Sequence, residues 1–188
     1  MTPDELGKAR QCVTSSPLAK KLLLATMCVL TIGSESVNAS ATSTITGGPC
    51  DMFEMCCSPE SNLTAEAIRK GIRSERKTLE TGYDFRKADT GRRIADEACA
   101  AGVKKVWASV QCRYYCPWQT ANYKTPEGQE FLRRRRLETR RQVKNSIEVF
   151  KAVIENGGYY YFEWPNRSHG WNITELEEFR AWCAKNKV

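Results

Sequence analysis

Two cysteines and a group of aromatic residues follow a predicted β-strand in the segment 106–122, VWASVQCRYYCPWQTAN. The apolar residues before Cys112 are typical of a buried strand, and Cys112 stands at the start of the loop that follows. A thiol in that place could serve as a metal ligand, a packed structural cysteine or a nucleophile. Cys116, four residues later, is better explained by packing or by a disulfide with a neighbouring cysteine.

A metal site is poorly supported by the other residues of ligand type. The chain has nine cysteines, none of them in a Cys-x-x-Cys pair, and His169 is its single histidine. Structural zinc sites use closely spaced cysteine and histidine ligands, so the sequence predicts no metal site. An odd number of irregularly spaced cysteines is also a poor disulfide framework, and free thiols in a reducing compartment are the simpler interpretation.

The elements that would position these residues alternate along the chain between strand and helix. Hydrophobic periodicity predicts strands at 50–57, 74–80, 103–112 and 159–165, and helices at 58–72, 90–102, 125–158 and 174–186. Ser61 or Asn62 is expected to cap the first helix, and Gly102 is expected to end the second. At the last helix, Thr174 followed by Glu177 has the spacing of a capping box.

This alternation predicts an α/β fold with a Rossmann-like, mostly parallel sheet and flanking helices. Ligands of such sheets bind beyond the carboxyl ends of the strands. The residues expected at those ends include thiols, acids and aromatic side chains. They are Cys56, Cys57, Ser58, Glu60, Tyr83, Asp84, Cys112, Glu163 and Trp164. We therefore expect one crevice that brings a thiol together with two acids, Asp84 and Glu163.

Residues 1–49 differ in composition from the rest of the chain, and 50–188 is the predicted α/β domain. The first part is rich in Ser, Thr and Ala around an apolar run at 22–33. That run and its lysine flank have the form of a secretory signal, but the run is too short to span a bilayer well. We interpret 1–49 as a leader and expect a nuclear or cytoplasmic protein. The alternative is a secreted glycoprotein with disulfides, if 20–40 acts as a signal.

Positive charge is concentrated on the long predicted helix. The chain carries a formal net charge of +7, and its densest basic run is RRRRLETRR at 133–141. Arg133, Arg136, Arg140 and Arg141 share one side of a helix, where they could contact phosphates irrespective of base sequence. The alternative is a solvated face whose arginines pair with neighbouring glutamates.

The order of these motifs resembles the catalytic half of the cytosine-5 DNA methyltransferases over about residues 50–183. Residues 51–53, DMF, are similar to the family's Asp-Leu-Phe opening, and 82–84, GYD, look like its Gly-Asp motif. The segment around Cys112 is similar to the family's Pro-Pro-Cys-Gln loop. Residues 159–166, YYYFEWPN, look like its strand that ends in Glu-Asn.

The resemblance implies S-adenosylmethionine as the cofactor of this domain. It implies that Asp51, Phe53, Ser58 and Asp84 hold the cofactor, with Phe53 against the adenine and Asp84 at the adenine amino group. The family has a glycine-rich cofactor loop after the opening motif, whereas residues 54–58 of this chain contain no glycine. Glycine matters there because backbone must approach the ligand closely.

The resemblance also implies a set of catalytic groups. A Cys112 thiolate would add to carbon 6 of cytosine so that carbon 5 can take the methyl group, and Glu163 would stabilise the adduct. Arg113 would lower the pKa of the thiol and contact the nucleic acid. We expect a diverged, shortened domain that acts on or binds DNA, with methyl transfer either retained or lost. The alternative is a non-catalytic, basic nucleic-acid-binding segment of a mobile-element polyprotein of the retrotransposon type.

Overall fold

The structure, a computed structural model, describes residues 50–188, so the predicted leader at 1–49 lies outside the described residues. In that range it has four strands: β1 (Met52–Met55), β2 (Ser74–Lys77), β3 (Lys105–Ala108) and β4 (Tyr159–Phe162). The helices there are α1 (Asn62–Arg69), α2 (Thr90–Ala100), α3 (Trp118–Asn122), α4 (Pro126–Glu155) and α5 (Thr174–Asn186). No helix in this part of the chain has the length and apolar character that a membrane crossing requires.

The strands form a single parallel sheet in the order β2-β1-β3-β4. The predicted α/β class with a parallel sheet and flanking helices is therefore confirmed. From β1 the chain moves to one side to form β2, and from β2 it crosses to the other side of β1 to form β3. The winding direction thus switches between β1 and β3, and this is where parallel sheets open a crevice at their carboxyl ends.

One face of the sheet forms the main core of the domain. Phe53 and Met55 of β1 and Val106 of β3 are almost completely buried, together with Val149 and Phe150 of α4. Burial of each such side chain contributes about 1.5–3 kcal/mol. The alternate residues of β1 face the other way and meet α1. Within residues 50–188 the strands are therefore held on one side by long helices and on the other by the short helix α1.

The packing of α2 on α4 depends on one glycine and one buried amide. A Cβ atom at Gly91 would lie 2.6 Å from the backbone oxygen of Asn145, so only glycine allows this approach. The Asn145 side chain donates to the carbonyl oxygens of Phe85 and Lys87, both at 2.7 Å, and accepts from the Gly91 N–H at 3.1 Å. Asn145 therefore fixes the segment after β2 against α4.

The helix ends confirm two predictions and correct a third. The Ser61 side chain accepts from the backbone N–H of Leu63 at the start of α1, as predicted. Gly102, with φ +68°, follows the end of α2 in the left-handed conformation. The capping box predicted at Thr174 is wrong, because Ile173 is the residue with extended backbone before α5 and no side chain caps the helix there.

Candidate functional site

A cavity of about 230 Å³ opens at the carboxyl edge of the sheet, where the winding direction switches. Its walls are the loops that follow β1, β2 and β3, and one side of α4. The side chains that line it include Cys56, Cys57, Glu80, Asp84, Gln111 and Gln142. We refer to this cavity as the switch-point cleft.

Cys56 gives the loop after β1 an unusual backbone. Its φ is +56°, a conformation that costs free energy for any residue except glycine. The loop thus bends as a glycine-containing loop would, although 54–58 has no glycine. Burial raises the pKa of Cys56 to about 12, and burial with the nearby charge of Glu54 raises the pKa of Cys57 to about 12. Both thiols are therefore neutral at physiological pH and are poor nucleophiles.

Glu54 of β1 is a buried carboxylate, with 1% of its surface exposed. It accepts hydrogen bonds from the Thr64 backbone N–H at 3.0 Å, from the Thr64 hydroxyl at 2.5 Å and from the Ser61 hydroxyl. The carboxylate therefore lies at the first turn of α1, the position at which nucleotide-binding folds hold a phosphate. Sequence reasoning did not select Glu54, although an acid inside the apolar stretch MFEM was a visible signal.

Two carboxylates follow β2 at the rim of the cleft. Asp84 is half-buried and accepts two hydrogen bonds from the Arg86 guanidinium, at 2.7 and 2.9 Å, which lower the pKa of Asp84. Glu80 is exposed, and hydrogen bonds from its own backbone N–H and from Thr78 lower its pKa. An acid after the second strand is the usual partner of ribose hydroxyls in Rossmann-type sheets. Glu80 was not among the predicted site residues.

Two carboxamides complete the lining. Gln111, the residue before Cys112, and Gln142 on α4 both contribute to the cleft. Neither side-chain amide has a hydrogen-bond partner among residues 50–188, so their donors and acceptors are available to a ligand. No local sequence pattern marks Gln142 as a site residue, because only the sheet order brings α4 against these loops.

The two predicted catalytic residues lie at neighbouring strand ends but not in the cleft lining. Cys112 precedes a short 3₁₀-helix, Arg113–Tyr115, and is half-buried against the core. Glu163 directly follows β4 and is exposed. Its carboxylate accepts a hydrogen bond at 3.2 Å from Ser109, which follows β3. The structure therefore does not bring either side chain into the lining of the switch-point cleft.

Of the four predicted cofactor-binding residues, Asp84 lines the cleft and the other three do not. Asp51 precedes β1, at the opposite edge of the sheet, and pairs with Arg73 at 3.1 Å. Phe53 has 1% of its surface exposed and lies in the core. Ser58 is exposed on the loop between β1 and α1, where its hydroxyl accepts from a backbone N–H two residues later.

Three of the predicted phosphate-binding arginines have partners within the protein. Arg133 pairs with Glu130 at 2.7 Å, and Arg140 pairs with Glu175 of α5 at 2.9 Å. Arg136 donates to the backbone of the 3₁₀-helix at 3.0 Å. These same three arginines line a second, larger cavity of about 880 Å³, which we call the α4 groove.

The remaining two predicted arginines do not line either cavity. Arg113 is exposed, and its guanidinium carbon lies 5.0 Å from the centre of the Tyr114 ring. Arg141 is exposed on α4. Neither position gives a structural reason to assign a ligand to it.

The thiols and acids of the described range form no metal centre. Its cysteines are free thiols, and no group of three or more His, Cys, Asp or Glu side chains within residues 50–188 is arranged to hold a metal ion. No family model, curated protein or solved structure matches the chain. The case for a function therefore depends on the geometry of the cleft and of the groove.

Proposed function

We propose that residues 50–188 form a methyltransferase-like domain that binds a nucleoside ligand in the switch-point cleft, with S-adenosylmethionine as the first candidate. The observation that carries this proposal is the combination of two carboxylates after β2 with two free carboxamides. Glu80 and Asp84 can accept hydrogen bonds from ribose hydroxyls. Gln111 and Gln142 can pair with the edge of a base, because each amide both donates and accepts.

The chain's own groups favour a nucleoside without phosphates. Dinucleotides place their pyrophosphate at the N-terminus of the first helix, and Glu54 supplies a negative charge at that position. A second anion there would be repelled by the carboxylate. The cleft volume of about 230 Å³ is below the roughly 300–1,000 Å³ of ordinary small-molecule sites, so the cleft suits a nucleoside better than a dinucleotide. S-adenosylmethionine carries no phosphate, and we propose that the cleft holds its nucleoside part while the rest of the ligand lies outside the cleft.

Catalysis is a separate part of the proposal. Cys112 follows Gln111, which lines the cleft, and Glu163 lies one strand further along the same edge of the sheet. A cytosine that leaves the DNA duplex and enters at the carboxyl ends of β3 and β4 would contact both Cys112 and Glu163. Methyl transfer that is lost on the substitution Cys112→Ser would support catalysis, and ligand binding without any transfer would restrict the proposal to binding.

Nucleic acid is the proposed macromolecular partner. The formal net charge of +7 favours polyanions, and three arginines line one groove along α4. This second part of the proposal uses a different surface from the cleft.

The ligand class can be tested by calorimetric titration of the full chain. We expect S-adenosylhomocysteine and adenosine to bind and the dinucleotide NAD to bind much more weakly, because its pyrophosphate would meet Glu54. Tighter binding of NAD, or no heat from any of the three ligands with a folded protein, would refute the proposal.

A further inference from the structure

We infer that the face of β3 and β4 turned away from α4 binds the same face of a second copy of this chain, with the strands of the two copies antiparallel. This inference goes beyond the proposed function. It leaves ligand binding in the switch-point cleft unaffected, because none of the residues involved lines that cleft. It excludes only a catalytic role of Glu163 within such a dimer.

Cross-strand pairs of side chains form this face, which we call the β3–β4 strip. Its residues are Lys105, Trp107, Ser109, Tyr159, Tyr161 and Glu163. They alternate along the chain with the residues that face α4, so they lie together on the other face of the sheet. The rings of Trp107 and Tyr161 stack at the centre of the strip, with their centroids 5.4 Å apart. The strip therefore has an aromatic centre and polar ends.

The strip is an open part of a sheet that would ordinarily be covered. Parallel sheets are normally packed against helices on both faces. Here α4 packs on one face of β3 and β4, whereas on the other face α1 packs on β2 and binds Glu54 of β1. Within residues 50–188 no helix covers the strip, and Tyr159 is 57% exposed. Aromatic side chains on an open face are typical of a protein interface.

The charges at its two ends make the strip complementary to itself. Lys105 begins β3 and Glu163 follows the end of β4, and both are exposed. A twofold axis that lies parallel to the sheet and across the strands would place Lys105 of each copy beside Glu163 of the partner subunit, with the aromatic centres on each other. With parallel strands lysine would instead meet lysine, so the charges select the antiparallel arrangement.

The size of the strip predicts a weak dimer. Stable interfaces of standard size use about 20–30 residues on each side, and the strip is much smaller. The formal net charge of +7 on each copy also opposes association. We therefore expect a dimer with a Kd of about 10–100 μM.

Charge reversal tests the contact directly. Sedimentation equilibrium of the full chain between about 5 and 500 μM measures the Kd of the dimer. We expect Lys105→Glu and Glu163→Lys each to weaken the dimer about tenfold, because each variant places like charges together at both ends of the interface. An equimolar mixture of these two variants should form a heterodimer about as tight as the unchanged dimer, since every contact then joins opposite charges. Lys124→Glu, at an exposed position outside the strip, changes the net charge equally and is the control.

The aromatic contribution requires a second pair of variants. We expect Tyr159→Ala to weaken the dimer about three- to tenfold. Trp118→Ala, which removes an aromatic side chain 75% exposed on α3, should have no effect. The inference is refuted if the full chain is monomeric at about 500 μM, if the mixture of Lys105→Glu and Glu163→Lys associates no better than either variant alone, or if Lys124→Glu weakens the dimer as much as Lys105→Glu does. None of these results bears on S-adenosylhomocysteine binding, which is measured separately.

Discussion

The buried carboxylate of Glu54 accepts hydrogen bonds from both the backbone N–H and the hydroxyl of Thr64. Glu54 lies on a central strand of the sheet, and Thr64 lies in the first turn of α1. The first turn of a helix has unpaired N–H groups and the positive end of the helix dipole, so it attracts an anion. In this domain the chain itself supplies that anion. The ligand of the neighbouring cleft is therefore expected to lack a phosphate at this position.

Removing the charge of Glu54 should destabilise the domain. We expect Glu54→Gln to lower the free energy of unfolding by about 2 kcal/mol, because hydrogen bonds to a charged group are replaced by weaker ones in a buried place. Urea unfolding followed by circular dichroism measures the change. Glu60→Gln, at an exposed position on the same loop, is the control. Equal stability of Glu54→Gln and the unchanged protein would show that the buried carboxylate is not important for folding.

The left-handed backbone of Cys56 makes a prediction about glycine. With φ +56°, glycine should be tolerated better than alanine, so Cys56→Gly should be more stable than Cys56→Ala by about 1 kcal/mol. The opposite order is expected at Cys183, a buried residue inside α5, because glycine disfavours helices. Urea unfolding of the four variants tests this reversal. The same order at both positions would contradict the strained conformation of Cys56.

The half-buried thiols of Cys56 and Cys57 predict a loss of stability at alkaline pH. The pKa values of Cys56 and Cys57 are raised from 9.0 to about 12. Between pH 9 and 12 the unfolded chain binds fewer protons at these groups than the folded chain does, so the free energy of unfolding falls as pH rises. Below pH 9 this contribution is constant.

Urea unfolding at about pH 8 and about pH 10.5 measures this loss. The double variant Cys56→Ala/Cys57→Ala should lose less stability over this interval than the unchanged protein does, because the two titrating thiols are gone. Equal losses in the two proteins would mean that these thiols are not protected by the fold.

The sequence predicted elements with strong periodicity well and strand ends less well. The long helix was expected at 125–158 and is observed at Pro126–Glu155, since its apolar residues recur at helical spacing. The third strand was expected at 103–112 but ends at Ala108. The reason lies in its neighbour: β1 turns away at Cys56, and the Ser109 N–H makes the last bond to β1, at the carbonyl of Met55. Local sequence carries no signal for a partner strand that turns away.

Other features lie beyond local patterns. The helix α3 was not predicted because it buries no residue and therefore has no hydrophobic periodicity. Asp51 was selected because its motif stands in the expected order along the chain. However, Asp51 precedes β1 and so lies at the amino ends of the strands, whereas the cleft lies at their carboxyl ends. Glu80 follows β2 and could have been selected by the strand-end rule. Gln142 could not, because it becomes part of the cleft only through the packing of α4.

The carboxylates of the cleft provide the most direct test of the proposed function. Asp84 and Asp51 form similar pairs with arginines, at 2.7 Å and 3.1 Å, but at opposite edges of the sheet. Asp51→Asn is therefore the matched control for Asp84→Asn, and Glu80→Gln tests the second carboxylate. Each substitution removes from the protein one carboxylate charge that would hydrogen-bond to the ligand, and this loss should weaken ligand binding about tenfold.

The decisive measurement is calorimetric titration of the full chain and these three variants with S-adenosylhomocysteine. Our proposal predicts a micromolar Kd for the unchanged protein and for Asp51→Asn, and about tenfold weaker binding by Asp84→Asn and Glu80→Gln. Absence of binding by a folded protein, or equal weakening by Asp51→Asn and Asp84→Asn, would contradict the assignment of the switch-point cleft as a nucleoside site.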